Sequence, residues 1–270
     1  MEKLVFLGIA SNSFENLNTS AFAIEHDKGR WILVDCGPDI PRQLIKCGIS
    51  FVDVEYIILT HRHLDHCLSL PYFVFGRYIE TQVRASKNCD FVASNLTIIA
   101  ETDVWERLQG LLRFAYPDIH SFGFSIEHLD IKSFLDGVRE LTNNISLKTF
   151  AMNHTVPAYG FIMWNRAQKK LAYSTDTLPC PEFIDAASEV DLLIHEAMVP
   201  ASEVTFSNSA KHSTASQAGT VISTVRPRIA FLMHIRPSFW KRRLDLEKEA
   251  SDAAGMQVRY PDEGLTLALS

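Results

Sequence analysis

The run Thr60-His61-Arg62-His63-Leu64-Asp65-His66 concentrates three imidazoles and one carboxylate within six residues. Protonated imidazoles at that density would repel one another, whereas neutral imidazole is the commonest metal ligand in proteins. In the pattern H-x-H-x-D-H, His61 and His63 can grip one metal ion while Asp65 and His66 reach a second. Zinc takes about four ligands per ion in a site that keeps room for water, so two ions need more donors than this run carries. His154, Asp176 and His234 supply them. The set divides into His61, His63 and His154 for one ion and Asp65, His66 and His234 for the other, with Asp176 bridging and a hydroxide in the remaining gap. Nitrogen and oxygen donors of this kind suit zinc foremost, with manganese or iron as alternatives that availability decides. Cys67 adjoins the run, but His66 already fills the role it could take.

These donors need rigid elements behind them. The stretch Val54–Leu59 before the run is apolar, β-branched and aromatic, and reads as a buried strand. His154, Asp176 and His234 each follow an apolar or β-rich segment, which places each at a strand end. Phe22–Glu25 and Trp31–Val34 read as a hairpin about Asp27-Lys28-Gly29, and the apolar start Met1–Gly8 as an edge strand. Asp39 caps a helix with Pro41 in its first turn and an end near Gly48. Helical spacing covers Leu68–Val83, and a second helix from Thr102 or Asp103 buries Trp105, Leu108, Leu111 and Leu112 on one face. Strands are expected at Leu96–Ala100, Phe124–Ile126 and Ile145–Phe150, and a hairpin joins Ala158–Trp164 to Leu171–Ser174. A helix over Cys180–Ala187, a strand over Asp191–Ile194, a helix over Thr214–Val225, a strand over Ile229–Met233 and a helix over Arg242–Ala253 complete the second half. Two mixed β-sheets packed face to face with helices outside, an α+β sandwich of αββα type, would bring ligands from both halves to one edge. The chain length suits one domain spanning residues 1–270.

The order H-x-H-x-D-H followed by His, Asp and His resembles the metallo-β-lactamase superfamily, and finer details resemble its ribonuclease Z branch, the tRNA 3′-end endonucleases. Val34-Asp35-Cys36-Gly37 with Arg42-Gln43-Leu44 is similar to that branch's D-C-G…R-Q-L segment, and His154-Thr155-Val156-Pro157-Ala158-Tyr159-Gly160 to its H-x-x-P-x-Y-G stretch. His195-Glu196-Ala197-Met198 resembles H-E-A-T with Met198 for threonine, and Lys211-His212-Ser213-Thr214-Ala215 resembles G-H-S-T-A with Lys211 for glycine. The resemblance implies a phosphodiesterase using a metal-bridging hydroxide. Asp65 would orient the attack and accept a proton, and His212, held in one tautomer by Glu196, would protonate the leaving group. Asp35 would orient ligand imidazoles rather than bind metal itself, and His195 would support the site in the same indirect way. His26, His120 and His128 lie outside every motif and read as ordinary surface or core histidines.

Two departures separate this chain from that branch. The tRNA-gripping arm normally lies between the third metal histidine and the bridging aspartate. Here Thr155–Thr175 holds only two strands and a turn, though a homodimer partner could donate an arm. The branch's H-F-S-x-R-Y is here His234-Ile235-Arg236-Pro237-Ser238-Phe239. Lys241-Arg242-Arg243 reads as a solvated helix start rather than a phosphate clamp. The net charge of −6 gives no electrostatic footprint for a general nucleic-acid binder. The substrate is therefore expected to be a phosphodiester, either a small molecule or an RNA 3′ end. The alternative is an acyl-bond hydrolase, a thioesterase or lactonase, whose leaving group needs a proton less. No stretch approaches the run of about eighteen apolar residues that a membrane helix needs, and Met1–Gly8 is too short for a signal peptide. Five cysteines without C-x-x-C spacing suggest a reducing compartment and a cytoplasmic protein.

Overall fold

A computed structural model describes residues 1–13 and 16–269, apart from the side chain of His120. The first sheet takes β1 (Lys3–Gly8), β2 (Ala21–Asp27), β3 (Arg30–Val34), β4 (Val54–Ile58), β5 (Leu96–Ala100) and β6 (Ile126–Asp130). The second takes β7 (Arg139–Thr142), β8 (Ile145–Ala151), β9 (Tyr159–Asn165), β10 (Lys170–Tyr173), β11 (Leu192–Glu196) and β12 (Ile229–Met233). A last strand, β13 (Thr266–Ala268), returns to the first sheet, giving the orders β13-β1-β2-β3-β4-β5-β6 and β12-β11-β10-β9-β8-β7. Both sheets are mixed: β3 to β6 run parallel, as do β10 to β12, and the other pairs are antiparallel.

The central strands are apolar on both faces because each face meets a partner layer, whereas the outer strands β6, β7 and β13 keep exposed residues. Phe22, Ile24, Ile32, Val34 and Ile58 of the first sheet pack against Phe161, Met163, Leu171, Tyr173 and Ile194 of the second. The alternate residues Ala23, Leu33 and Ile57 face α1 (Ile40–Lys46), α3 (Leu70–Lys87) and α4 (Thr102–Ala115); the short α2 (Leu64–Cys67) precedes α3. On the far side Ile162, Ala172, Leu193 and Leu232 face α5 (Pro181–Ala186), α7 (Ala215–Val225) and α8 (Arg243–Ala254), with α6 (Val204–Ala210) preceding α7. Four layers in the order αββα result, as the pattern of apolar strands and amphipathic helices implies.

The differences from expectation are local. β1 is an interior strand, because β13 pairs with its outer side: Lys3, Leu4 and Val5 face Ala268, Leu267 and Thr266. Strand β6 begins at Ile126 rather than at Phe124, since pairing with β5 puts Leu96 opposite Ile126. Asp39 stands at the N-terminus of α1 in a left-handed conformation (φ 66°) and its side chain caps nothing; it pairs with Arg42 at 3.2 Å instead. Leu111 is 46% exposed, at the margin of a stripe formed by Val104, Trp105, Leu108 and Leu112. Among the described residues no helix is long and apolar enough to cross a membrane.

Candidate metal centre

Parallel strands present their carboxyl ends on one side of a sheet, and the donors hang from those ends. His61 follows β4, His154 follows β8, Asp176 follows β10 and His234 follows β12, while Glu196 closes β11. The chain turns sharply there. Asp35 (φ 60°), Thr175 (φ 50°) and His234 (φ 65°) all hold left-handed backbones, which L-residues seldom adopt and which cluster at functional sites.

The structure brings all seven predicted ligands together as two groups of four that share Asp176: His61, His63, His154 and Asp176, then Asp65, His66, His234 and Asp176. In the first, His63 Nδ1 is 3.1 Å from both His61 Nε2 and His154 Nε2, while Asp176 Oδ2 lies 3.5 Å from the former and 3.9 Å from the latter. In the second, Asp65 Oδ2 is 3.4 Å from His66 Nε2 and from His234 Nε2, and Asp176 Oδ2 lies 3.4 and 3.2 Å from the same two atoms. Four ligands at about 2.0–2.1 Å from one ion stand about 3.3–3.4 Å apart, so both groups have the span of a tetrahedral site. The fit extends to what is unpaired: His66 Nε2 and Asp176 Oδ1 are buried with no hydrogen-bond partner. Such atoms are costly unless something else engages them.

Charge makes the same demand. Among the described residues, Asp35, Asp65, Asp176 and Glu196 pair only with histidines and with no lysine or arginine. Burial opposes ionisation of Asp65, yet hydrogen bonds from His234 and His66 hold it well below the usual carboxylate range. Asp176 is likewise held down against burial by His234 and His66. Burial also opposes a charged His66, but Asp176 and Asp35 on either side pull that ring well above its ordinary value. Burial leaves His61, His63 and His154 neutral, with lone pairs free to ligate. Four carboxylates gathered with three neutral imidazoles and, among the described residues, with no lysine or arginine paired to them, form a site that could hold cations.

A hydrogen-bond network behind the ligands sets their orientation. Buried Asp35 accepts from Thr60 N–H at 2.8 Å through Oδ1, and from Thr60 Oγ1 at 3.0 Å and His66 Nδ1 at 2.7 Å through Oδ2. The Thr60 hydroxyl thereby spends its one proton on Asp35, and accepts from Thr175 Oγ1 at 2.8 Å and from His61 Nδ1 at 3.1 Å. Both rings then carry their proton on Nδ1 and turn Nε2 towards the ligand groups. Gly37 admits the loop that carries the motif, since a Cβ there would sit 1.8 Å from the Asp65 carbonyl oxygen. Thr60 and Thr175 were given no role from sequence, although Thr60 opens the histidine run at a strand end; Gly37 was legible only as the last residue of the D-C-G segment.

Next to the ligands, His212 Nδ1 lies 3.0 Å from Glu196 Oε1, and both residues are buried. Burial works against a charged His212, but Glu196 outweighs it and raises the ring to about 9. The His212 ring stacks on His234 with centroids 5.0 Å apart and stands 4.9 Å from His154. His195 is not brought to the ligands. Strand alternation turns it away from Glu196, and its Nδ1 donates to the Glu196 carbonyl at 2.7 Å. Cys67 makes only a long contact with the Arg62 carbonyl, and burial pushes its thiol up to about 11. His26 lies 3.3 Å from Glu55 and His128 3.0 Å from the Ala100 carbonyl, both remote from the site, while the side chain of His120 lies outside the described residues.

Fold and site together define a ribonuclease Z-like, metal-dependent hydrolase of the metallo-β-lactamase superfamily. The metallo-β-lactamase fold protein YhfI from Bacillus subtilis superposes with a TM-score of 0.80 at 19% identity over 98% of both chains. The short form of human tRNase Z does so with a TM-score of 0.76 at 18% identity over 99% of both. In sequence, ribonuclease Z of Ignicoccus hospitalis is 26% identical over 287 aligned residues, covering 88% of each chain. A family profile described as anti-Pycsar protein Apyc1 matches residues 2–251, and the chain belongs to that family.

Proposed function

We propose that the chain hydrolyses phosphodiesters with two divalent ions, zinc foremost, held by His61, His63 and His154 on one side and Asp65, His66 and His234 on the other, with Asp176 shared. The observation that carries this reading is the buried Glu196–His212 pair, 3.0 Å apart, beside two tetrahedral ligand groups. Bound dications lower the pKa of water from about 15.7 to about 7 and neutralise charge developing on phosphate oxygens. Asp65, kept anionic by His234 and His66, orients the attacking water and takes up its proton. Glu196 Oε1 accepts from His212 Nδ1, which leaves Nε2 as the position from which the imidazolium gives a proton to the departing oxygen. An alkoxide leaves poorly without that proton, whereas a thiolate does not need it, so the pair favours a phosphodiester over an acyl substrate.

A small cyclic or linear diester suits the chain better than an RNA 3′ end. The interval between His154 and Asp176 is filled by β9, β10 and their tight turn, with no inserted arm, and the net charge of −6 offers no polyanion track. The relatives named ribonuclease Z keep pre-tRNA as the second candidate. The test is a panel of an aryl phosphodiester, 2′,3′- and 3′,5′-cyclic nucleotides, pre-tRNA, a thioester and a lactone, each with and without chelator. Chelator-sensitive turnover of the small diesters is expected; turnover of the thioester or lactone alone would overturn the reading.

A further inference from the structure

We propose that Lys211 is the positioning residue for His154, holding it by both its ring and its backbone; this rests on the metal-centre reading above. His154 Nδ1–H donates to the Lys211 carbonyl at 3.1 Å, and the Lys211 ammonium donates back to the His154 carbonyl at 3.2 Å. The two bonds tie together peptides 57 residues apart. The first fixes the proton on Nδ1 and leaves Nε2 free, 3.1 Å from His63 Nδ1 and 3.9 Å from Asp176 Oδ2.

The backbone explains why a side chain is needed. Lys211 closes α6 in a left-handed conformation, φ 55° and ψ 49°, which glycine adopts freely and L-residues only with strain. A glycine would offer the same carbonyl without that strain, so the ammonium must supply what glycine lacks. Two other ligand rings, His61 and His66, show what that is. His61 is anchored on the Thr60 hydroxyl and His66 on the Asp35 carboxylate, both deeply buried. His154 instead depends on one carbonyl of a half-buried peptide at a helix end. The return bond from Lys211 stops that peptide from tilting. Because His212 is the next residue and its ring lies 4.9 Å from His154, the same peptide also sets the spacing between the first ligand group and the proton donor.

Three variants separate the parts. Lys211→Met keeps the stem and removes the donor, Lys211→Gly keeps the carbonyl and removes the strain, and Lys211→Arg restores a donor. Metal equivalents are measured by elemental analysis after dialysis against graded chelator, together with the visible spectrum of the cobalt-substituted protein. Lys211→Met and Lys211→Gly are expected to release one of two equivalents at chelator concentrations ~10–100-fold lower than wild type, with altered cobalt bands, and Lys211→Arg to recover both readouts. A wild type that carries two equivalents and Met and Gly variants that retain them equally well would overturn the clamp alone. A wild type that carries none would overturn the metal centre and the clamp together.

Discussion

Removal of the His212 imidazole tests the proton-donor role most directly. His212→Ala leaves Glu196, 1% exposed, without its charged partner and with the Thr177 N–H as its remaining donor, and a broken buried pair costs about 3–5 kcal/mol of stability. His212→Asn is therefore the better perturbation, since its amide can still donate to Glu196 Oε1 but has no proton to give. Loss of a general acid is expected to cost ~10²–10⁴ in turnover, or about 2.7–5.4 kcal/mol of transition-state stabilisation. The loss must depend on the leaving group. A diester of p-nitrophenol departs without help and should slow little, whereas an alkyl or nucleoside diester should show the full effect. The acid works protonated, so the wild-type rate on the poor leaving group falls as pH rises through the His212 value. Held at about 9 by Glu196 against burial, that value moves down when dications bind beside His154 and His234, so the alkaline limb lies at or below about 9. The limb should vanish in His212→Asn while both metal equivalents remain, because His212 belongs to neither four-ligand group and clusters only with Glu196, its ion-pair partner, and His234. Equal slowing of good and poor leaving groups, or loss of metal in step with activity, would refute the role.

Asp176→Ala should empty both ligand groups, because Asp176 Oδ2 stands within 3.2–3.9 Å of four imidazoles; elemental analysis retaining two equivalents would contradict the sharing. Asp35→Asn should weaken the ion at His66 by ~10–100-fold through loss of the charged acceptor at Nδ1, measured by chelator competition. Gly37→Ala should displace the motif loop, since its Cβ would overlap the Asp65 carbonyl; unchanged metal content and activity in the variant would show that the loop tolerates a shift.

Much of the site was legible in the chain because its code is local. The H-x-H-x-D-H run lies just beyond β4, and the apolar segments before His154, Asp176 and His234 announce strands whose parallel arrangement gathers their ends. Apolar central strands alternating with amphipathic helices dictate covered sheets, so the four layers follow from the hydrophobic pattern. What escaped involves partners far apart in sequence. The bond from Thr175 to Thr60 spans 115 residues, and nothing in periodicity distinguishes two threonines that meet from two that do not. The sheet pairing of β13, distant in the chain, made β1 an interior strand. Residue types and spacing determined which side chains could bind cations, and the family resemblance pointed to the pair that could move a proton. Tertiary packing alone decided which nitrogen of the His61, His66 and His154 rings faces inward, because that choice is made by acceptors (Thr60, Asp35 and the Lys211 carbonyl) that only the folded chain brings within hydrogen-bond reach.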